Sequence, residues 1–324
     1  MTSISAFQRY LIKRLSYIAL TLFLVSFLVF AITQLLPGNA AVMILGQFAT
    51  ESSIAALEAE LGLKQPWYVQ YWSWLTGVLT GDWGQSYILE QPIAGIVWTR
   101  LVNSGQLALV TLTEVILVGI PLGVLAAVKR DTIVDTIISG GSYLGISVPE
   151  FVTGTMLILL FGGPVFGIFP SSGHVPLAQD PVGWAMHLAL PSLTLTILLL
   201  AHVMRQTRSE MIETLQSEYV RTARLKGLSE RSVVVKHALR NGLLPTITVL
   251  ALDMGYLMGG IVVVEEVFAY PGLGRLVVFA IQNRDLPTLQ IAVLLIAATY
   301  AFANFGADML YTYLDPRIDY GSET

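Results

Sequence analysis

The chain has 324 residues, 54% of them hydrophobic and only 12% charged, about half the charged share of a soluble globular domain. It has no cysteine and a formal net charge of −4, which excludes disulfides, thiolate metal sites and cysteine nucleophiles and lacks the basic excess of a nucleic-acid binder. The four histidines, His174, His187, His202 and His237, have no metal-ligand spacing, so neither a metal nor another cofactor is expected.

Six apolar runs reach the roughly 20 residues that cross a bilayer as a helix, near 15–36, 105–128, 133–162, 184–204, 243–268 and 289–313. The expected fold is therefore all-α, a multi-pass membrane bundle of six transmembrane helices. The first run follows Arg9, Lys13 and Arg14 in the manner of a signal peptide. Its uncharged stretch exceeds a secretory apolar core of roughly 7–15 residues, so it reads as a retained anchor.

Lysine and arginine bias sets orientation, because short basic loops stay cytoplasmic. With the N-terminus inside, 14 of the 18 basic residues are cytoplasmic and only Lys64, Arg100, Arg275 and Arg284 are outside. Six spans then return the C-terminus to the cytoplasm. The expected organisation is an anchor with a long outer segment over 1–104, a core over 105–314 and a tail over 315–324.

Two connections are too long to be turns, and long loops invite a functional reading. The outer one, 37–104, carries a helical pattern at Ile54, Leu57 and Leu61 and an aromatic stretch from Trp67 to Trp83. That stretch reads equally as an interfacial belt or a docking surface. The inner one, 205–241, holds 8 of the 18 basic residues. Within it, Glu218-Tyr-Val-Arg-Thr-Ala-Arg-Leu-Lys-Gly227 reads as a short helix closed by glycine, and Ser229 is placed to cap a second helix over 230–241. Such a pair would form a firm knob for a cytoplasmic partner, or merely a basic loop that holds topology and touches anionic lipid.

Charges inside a bilayer are functional hypotheses by default. Glu114, Asp253 and Asp308 lie within the second, fifth and sixth runs. Each can bond a neighbouring helix, and Glu114 and Asp253 are also candidates for a translocation path. Pro121, Pro149 and Pro191 are expected to kink the second, third and fourth spans. The pairs Gly119/Gly123, Gly141/Gly145 and Gly255/Gly259 would permit close helix approach. No lysine follows a glycine, so the phosphate-cradling Gly-x-x-x-x-Gly-Lys-Ser/Thr loop is absent. The G-x-S-x-G and H-E-x-x-H motifs are missing too, and the chain is not expected to be an enzyme.

An ordered set of short motifs runs along the chain. It includes Leu35-Leu36-Pro37-Gly38, Leu61-Gly62-Leu63, Gln70-Tyr71, Gly81-Asp82, Gly119-Ile-Pro-Leu-Gly-Val-Leu-Ala-Ala127 and Ser147-Val-Pro-Glu-Phe151. After Glu218 to Gly227 come His237-Ala-Leu-Arg-Asn241, Leu244-Pro245, Val264-Glu-Glu-Val-Phe268, Pro271-Gly-Leu-Gly274, Arg284-Asp285 and Leu314-Asp-Pro-Arg-Ile318. In this set the chain resembles the permease subunits of binding-protein-dependent ABC importers, the dipeptide/oligopeptide group with a type-1 transmembrane domain. The resemblance implies that Glu218, Tyr219, Ala223, Gly227 and Leu228 belong to a coupling loop seated in a groove of an ATPase. Tyr219 and Val220 depart from the two alanines of the generic family pattern.

The implied partners are a second, homologous permease as a heterodimer, two ATP-binding subunits that hydrolyse the ATP, and an extracytoplasmic substrate-binding protein, and the implied location is the inner, cytoplasmic membrane of the cell. The implied cargo is di- or oligopeptides, with oligosaccharides or nickel as alternatives. An ion-coupled secondary transporter working through Glu114 and Asp253 is the reading from a different class.

Overall fold

A computed structural model describes residues 6–35, 40–45, 49–60, 62–163 and 165–314. The motif residues 36–38, Leu61, Arg317 and the expected tail 315–324 lie outside the described residues. The described chain is all-α. In order it forms α1 (Ala6–Leu35), α2 (Ala40–Leu45), α3 (Glu51–Glu60), α4 (Trp67–Thr80), α5 (Ile93–Glu114), α6 (Ile120–Val128), α7 (Ile133–Ser147) and α8 (Glu150–Leu157). There follow α9 (Pro181–Leu215), α10 (Glu218–Leu225), α11 (Glu230–Ser232), α12 (Leu239–Gly242), α13 (Leu244–Val267), α14 (Leu273–Gln282) and α15 (Leu286–Leu314). Widened π turns at Val115–Gly119, Ile158–Gly162 and Val233–Ala238 link or extend these helices.

Four helices are long and apolar enough to cross a membrane: Gln8–Leu35, Ile93–Val128, Pro181–Leu215 and Leu286–Met309. Two bent pairs raise the number to six if each is one span. The pair Ile133–Ser147 and Glu150–Gly162 turns by 106° at Val148-Pro149, and Pro245–Gly255 and Leu257–Val267 turn by 48°. The three prolines occupy different settings. Only Pro149 stands at a sharp break, where it forces extended backbone on Val148 (ψ 125°). Pro121 falls in the first turn of α6 beside a π turn, where its missing N–H is tolerated. Pro191 sits inside α9, which continues through it. The second apolar helix also starts earlier than its apolar run, at Ile93, and α14 is a helix that the hydropathy pattern does not reveal.

The chain divides into two compact units. One comprises Met1–Asn103 and Gly272–Ala301. Here α4 packs on α1. Tyr71 is buried and its ring meets Phe23, Phe27 and Phe30 at 5.4–6.4 Å, while its hydroxyl shares a 2.9 Å hydrogen bond with Ser26. Part of the aromatic stretch is thus helix packing, although Trp67, Tyr68 and Trp72 stay exposed. A second cluster joins Ile93 and Val97 of α5 to Leu273 and Leu276 of α14 and to Ile291 and Ala292 of α15. Buried Asp285 fastens the loop before α5. It accepts from the Ser86 hydroxyl and the Tyr87 amide (3.2 Å), and from Thr288 (2.8 Å) at the start of α15.

The other unit comprises Ser104–Pro271 and Phe302–Thr324, and α9 is its axis. Gly123 of α6 lies so close to α9 that an added Cβ would stand 2.6 Å from Thr207 Cβ and 2.7 Å from Met204 O. Gly145 of α7 meets Ile197 O in the same way, at 2.9 Å, whereas Gly141 and Gly259 face open space. Small residues thus serve close approach at some of the expected pairs and not at others. The core between α5, α9 and α13 includes Leu107, Leu188, Leu195, Leu199, Val203, Leu257, Ile261 and Phe268.

Candidate functional site

The segment after α9 becomes a knob through its own sequence. Helix α9 ends at Leu215, and Ser217, in extended conformation, restarts the chain as α10. Glu218 stands in the first turn and Arg224 in the last, each matching the partial charge of its helix end. The close of α10 is a Schellman arrangement: the Gly227 amide donates to Arg224 O (2.9 Å) and the Leu228 amide to Ala223 O (3.4 Å). Gly227 takes φ +78° to allow it. Ser229 does occupy the N-cap position of α11, but its side chain makes no capping bond.

Val220 and Ala223, three apart on one face, are buried against Met211 of α9, Ala127 of α6, and Val233, Val234 and Ala238. The opposite side is open: Glu218 and Arg221 point to solvent, and Tyr219, Leu225 and Leu228 are 43%, 81% and 40% exposed. Of the five residues expected to couple, Ala223 is therefore an anchor inside the unit, Gly227 and Leu228 close the helix, and Glu218 and Tyr219 are presented outward. Leu225, the most exposed apolar residue of this face, is not among those five. The apolar periodicity that buries Val220 and Ala223 could have singled it out.

Sequence reasoning also missed what holds the knob. Arg224 donates to Glu230 through Nε (3.1 Å) and Nη2 (2.7 Å), and through Nη1 to the Leu215 carbonyl (3.2 Å). One guanidinium thereby ties the end of α9 to α10 and α11. These bonds hold the Glu230 carboxyl below the ordinary range of its pKa. Asn241 adds a bond to the Tyr219 hydroxyl at 3.1 Å.

The membrane acids are not brought together. Glu114, at the end of α5, accepts from Ser192 (2.9 Å) and Thr196 (2.7 Å) of α9. Asp253 of α13 faces a lower level of α9, with Oδ1 3.3 Å from His202 Nδ1. Its other oxygen, Oδ2, is buried with no hydrogen-bond partner. Asp308 is half-buried in α15. Three further buried acids escaped the sequence reading as sites: Asp285, described above, Glu265, which accepts from Ser104 at 2.5 Å, and Asp135, which is paired with Arg208. Among the described residues no group of three or more His, Asp or Glu is placed to hold a metal ion.

Residues 119–320 match the family of binding-protein-dependent transport system inner membrane components, and residues 7–104 match the N-terminal part of the corresponding membrane components. A putative peptide transport system permease protein of Brucella abortus is 40% identical over 310 residues, covering 96% of this chain and 98% of the relative. A probable peptide ABC transporter permease protein of Sinorhizobium fredii is 38% identical over 311 residues, covering 96% and 99%. A glutathione transport system permease protein of Salmonella choleraesuis is 39% identical over the same length, with the same coverage. With apolar helices fit to cross a membrane several times, the chain belongs to the family of binding-protein-dependent transport system inner membrane components.

Proposed function

We propose that this chain is the permease subunit of an ATP-driven ABC importer of the inner membrane that carries short peptides delivered by an extracytoplasmic binding protein. In this reading the bent pairs α7–α8 and α13 each make one span, giving six spans with both termini cytoplasmic. Hydrolysis belongs to two ATP-binding subunits, and a second, homologous permease completes the pore. The observation that carries the reading is the α10 knob, anchored by Val220 and Ala223 and offering Glu218, Tyr219 and Leu225 outward. An ATPase that grips such a knob moves α9, and α9 is packed against α6, α7, α8 and α13. Closure of the ATPases would thus reach the helices that line the path, where Asp253 and Glu114 are the candidate polar contacts.

Peptide cargo is supported by the relatives from Brucella and Sinorhizobium, and glutathione, itself a tripeptide, by the one from Salmonella. The test is uptake of labelled di- and tripeptides by the complex reconstituted with its binding protein and ATPases. Peptide uptake that requires ATP and the binding protein supports the reading, and uptake driven by an ion gradient without ATP overturns it. Competition by glutathione separates the two cargoes.

A further inference from the structure

Between α7 and α9 lies a small recess of about 40 Å³ whose polar walls are Ser139, Ser142 and Tyr143 on one side and Arg205 and Arg208 on the other. Arg208 is held by Asp135 through Nε and Nη2, so Nη1 remains for another acceptor. Arg205 and the Tyr143 hydroxyl have no hydrogen bond or ion pair among the described residues. The charged side chains that line the recess are Arg205 and Arg208, and Asp135 balances Arg208, which leaves an excess of one positive charge. Three donors without partners and an excess positive charge suit an anion that accepts hydrogen bonds.

One helix turn away stands the opposite chemistry. His202 is three residues before Arg205, and residues so spaced are neighbours on a helix surface, with Cβ atoms about 5–6 Å apart. Beside His202, Asp253 is 5% exposed and keeps one carboxylate oxygen unpartnered. Burial of such an atom without a bond is costly, and a ligand ammonium would relieve it. We propose that the recess receives the carboxylate of the transported peptide and Asp253 its ammonium, so that α9 reads the two ends of a zwitterion. The proposal rests on the peptide reading above. An extended dipeptide spans roughly 7 Å at about 3.5 Å per residue, comparable with the offset of about 5–6 Å between His202 and Arg205 on α9.

The other anion available at a membrane is a lipid phosphate, and α7 argues against it. Its strongly exposed apolar residues, Ile133, Ile137 and Leu144, share one side of a helix of 3.6 residues per turn. Ser139 and Ser142, which line the recess, fall on the opposite side. The recess does not open on the face that is suited to lipid tails.

The absence of native cysteine allows a direct test. Tyr143→Cys, in a complex of the full chain with cysteine-free partners, is labelled with thiosulfonates of similar size and opposite charge. The anionic reagent should react about tenfold faster, the order expected from focusing in a charged cleft, and Arg205→Gln should erase most of that preference. Dialanine should slow labelling. Its C-terminal amide should fail to protect, and N-acetyl-dialanine should protect less than dialanine unless Asp253 is also replaced by Asn. Equal rates for the two reagents overturn the proposal, as does labelling indifferent to dialanine in a complex that imports it. Protection by anionic phospholipid vesicles but not by dialanine assigns the recess to lipid phosphate and overturns it too. A complex that imports no peptide refutes the proposed function instead, while the charge preference still reports on the recess.

Discussion

Arg208 of α9 grips Asp135 of α7 through two parallel hydrogen bonds, Nε to Oδ1 at 2.6 Å and Nη2 to Oδ2 at 2.7 Å. Asp135 is further fixed by the Asp131 amide (3.1 Å) and the Ser139 hydroxyl (3.1 Å). The fork lies one turn before Met211, which packs on the α10 knob, so it ties α7 to the part of α9 that the knob would move in the proposed function. Asp135→Ala strands a half-buried guanidinium, 30% exposed, and loss of its charge-assisted fork costs about 1–2 kcal/mol. The purified complex should show a lowered melting temperature and poor coupling of hydrolysis to transport. Arg208→Lys keeps the charge but loses the fork and should fall between. Wild-type melting and coupling in Asp135→Ala would make the pair dispensable.

Gly227 has φ +78° and nothing within 4 Å of the position a Cβ would take. The penalty of substitution is therefore conformational rather than steric, about 1–2 kcal/mol for a side chain in the left-handed region. Gly227→Val should keep membrane insertion and pairing with the second permease yet lose ATPase association or binding-protein-stimulated hydrolysis. Gly227→Asn should be milder, because asparagine tolerates this region. Glu218→Lys, reversing a charge at the start of α10, should weaken coupling slightly. ATPase retained on purification is the measurement, and full retention with normal transport in Gly227→Val would return the segment to a topology-holding loop.

Leu225 and Ala223 separate contact from anchoring. Leu225 is 81% exposed and Ala223 only 7%. Leu225→Glu should leave abundance and melting unchanged while lowering ATPase retention several-fold. Ala223→Asp should reduce abundance of the permease itself, since it buries a charge against Met211 and Val234. The same outcome for both variants would contradict this division of roles.

Sidedness is open to cysteine labelling as well. Cysteine at Ser52 or Ser172, both exposed, should react with an impermeant reagent in intact cells. Cysteine at Ser217 or Ser229 should react only after permeabilisation. The reverse pattern would overturn the proposed topology and place α10 out of reach of any ATPase.

The two membrane acids should respond differently. Glu114 is satisfied by two hydroxyls, so Glu114→Gln, which preserves acceptor capacity at one oxygen, should change uptake by less than about twofold if the group only ties α5 to α9. Asp253→Asn should alter uptake with assembly intact. Loss of assembly in Asp253→Asn would make its contact with His202 structural.

Much of this protein is written locally in its sequence. Apolar runs of spanning length, the basic bias of the inner connection and the glycine that closes α10 at Gly227 depend only on neighbouring residues, because hydration, charge and backbone freedom act within a turn or two. The tertiary structure alone decided which faces meet. Arg208 finds Asp135 on another helix, Tyr71 of α4 reaches Ser26 of α1, and Arg224 spans three helix ends. It also decided that Pro149 stands at a sharp break while Pro191 is carried through a continuous helix. It covered Val220 and Ala223 and left Leu225 open: the helical period already separates the two sides of α10, but only the packing of α9 decides which of them is buried.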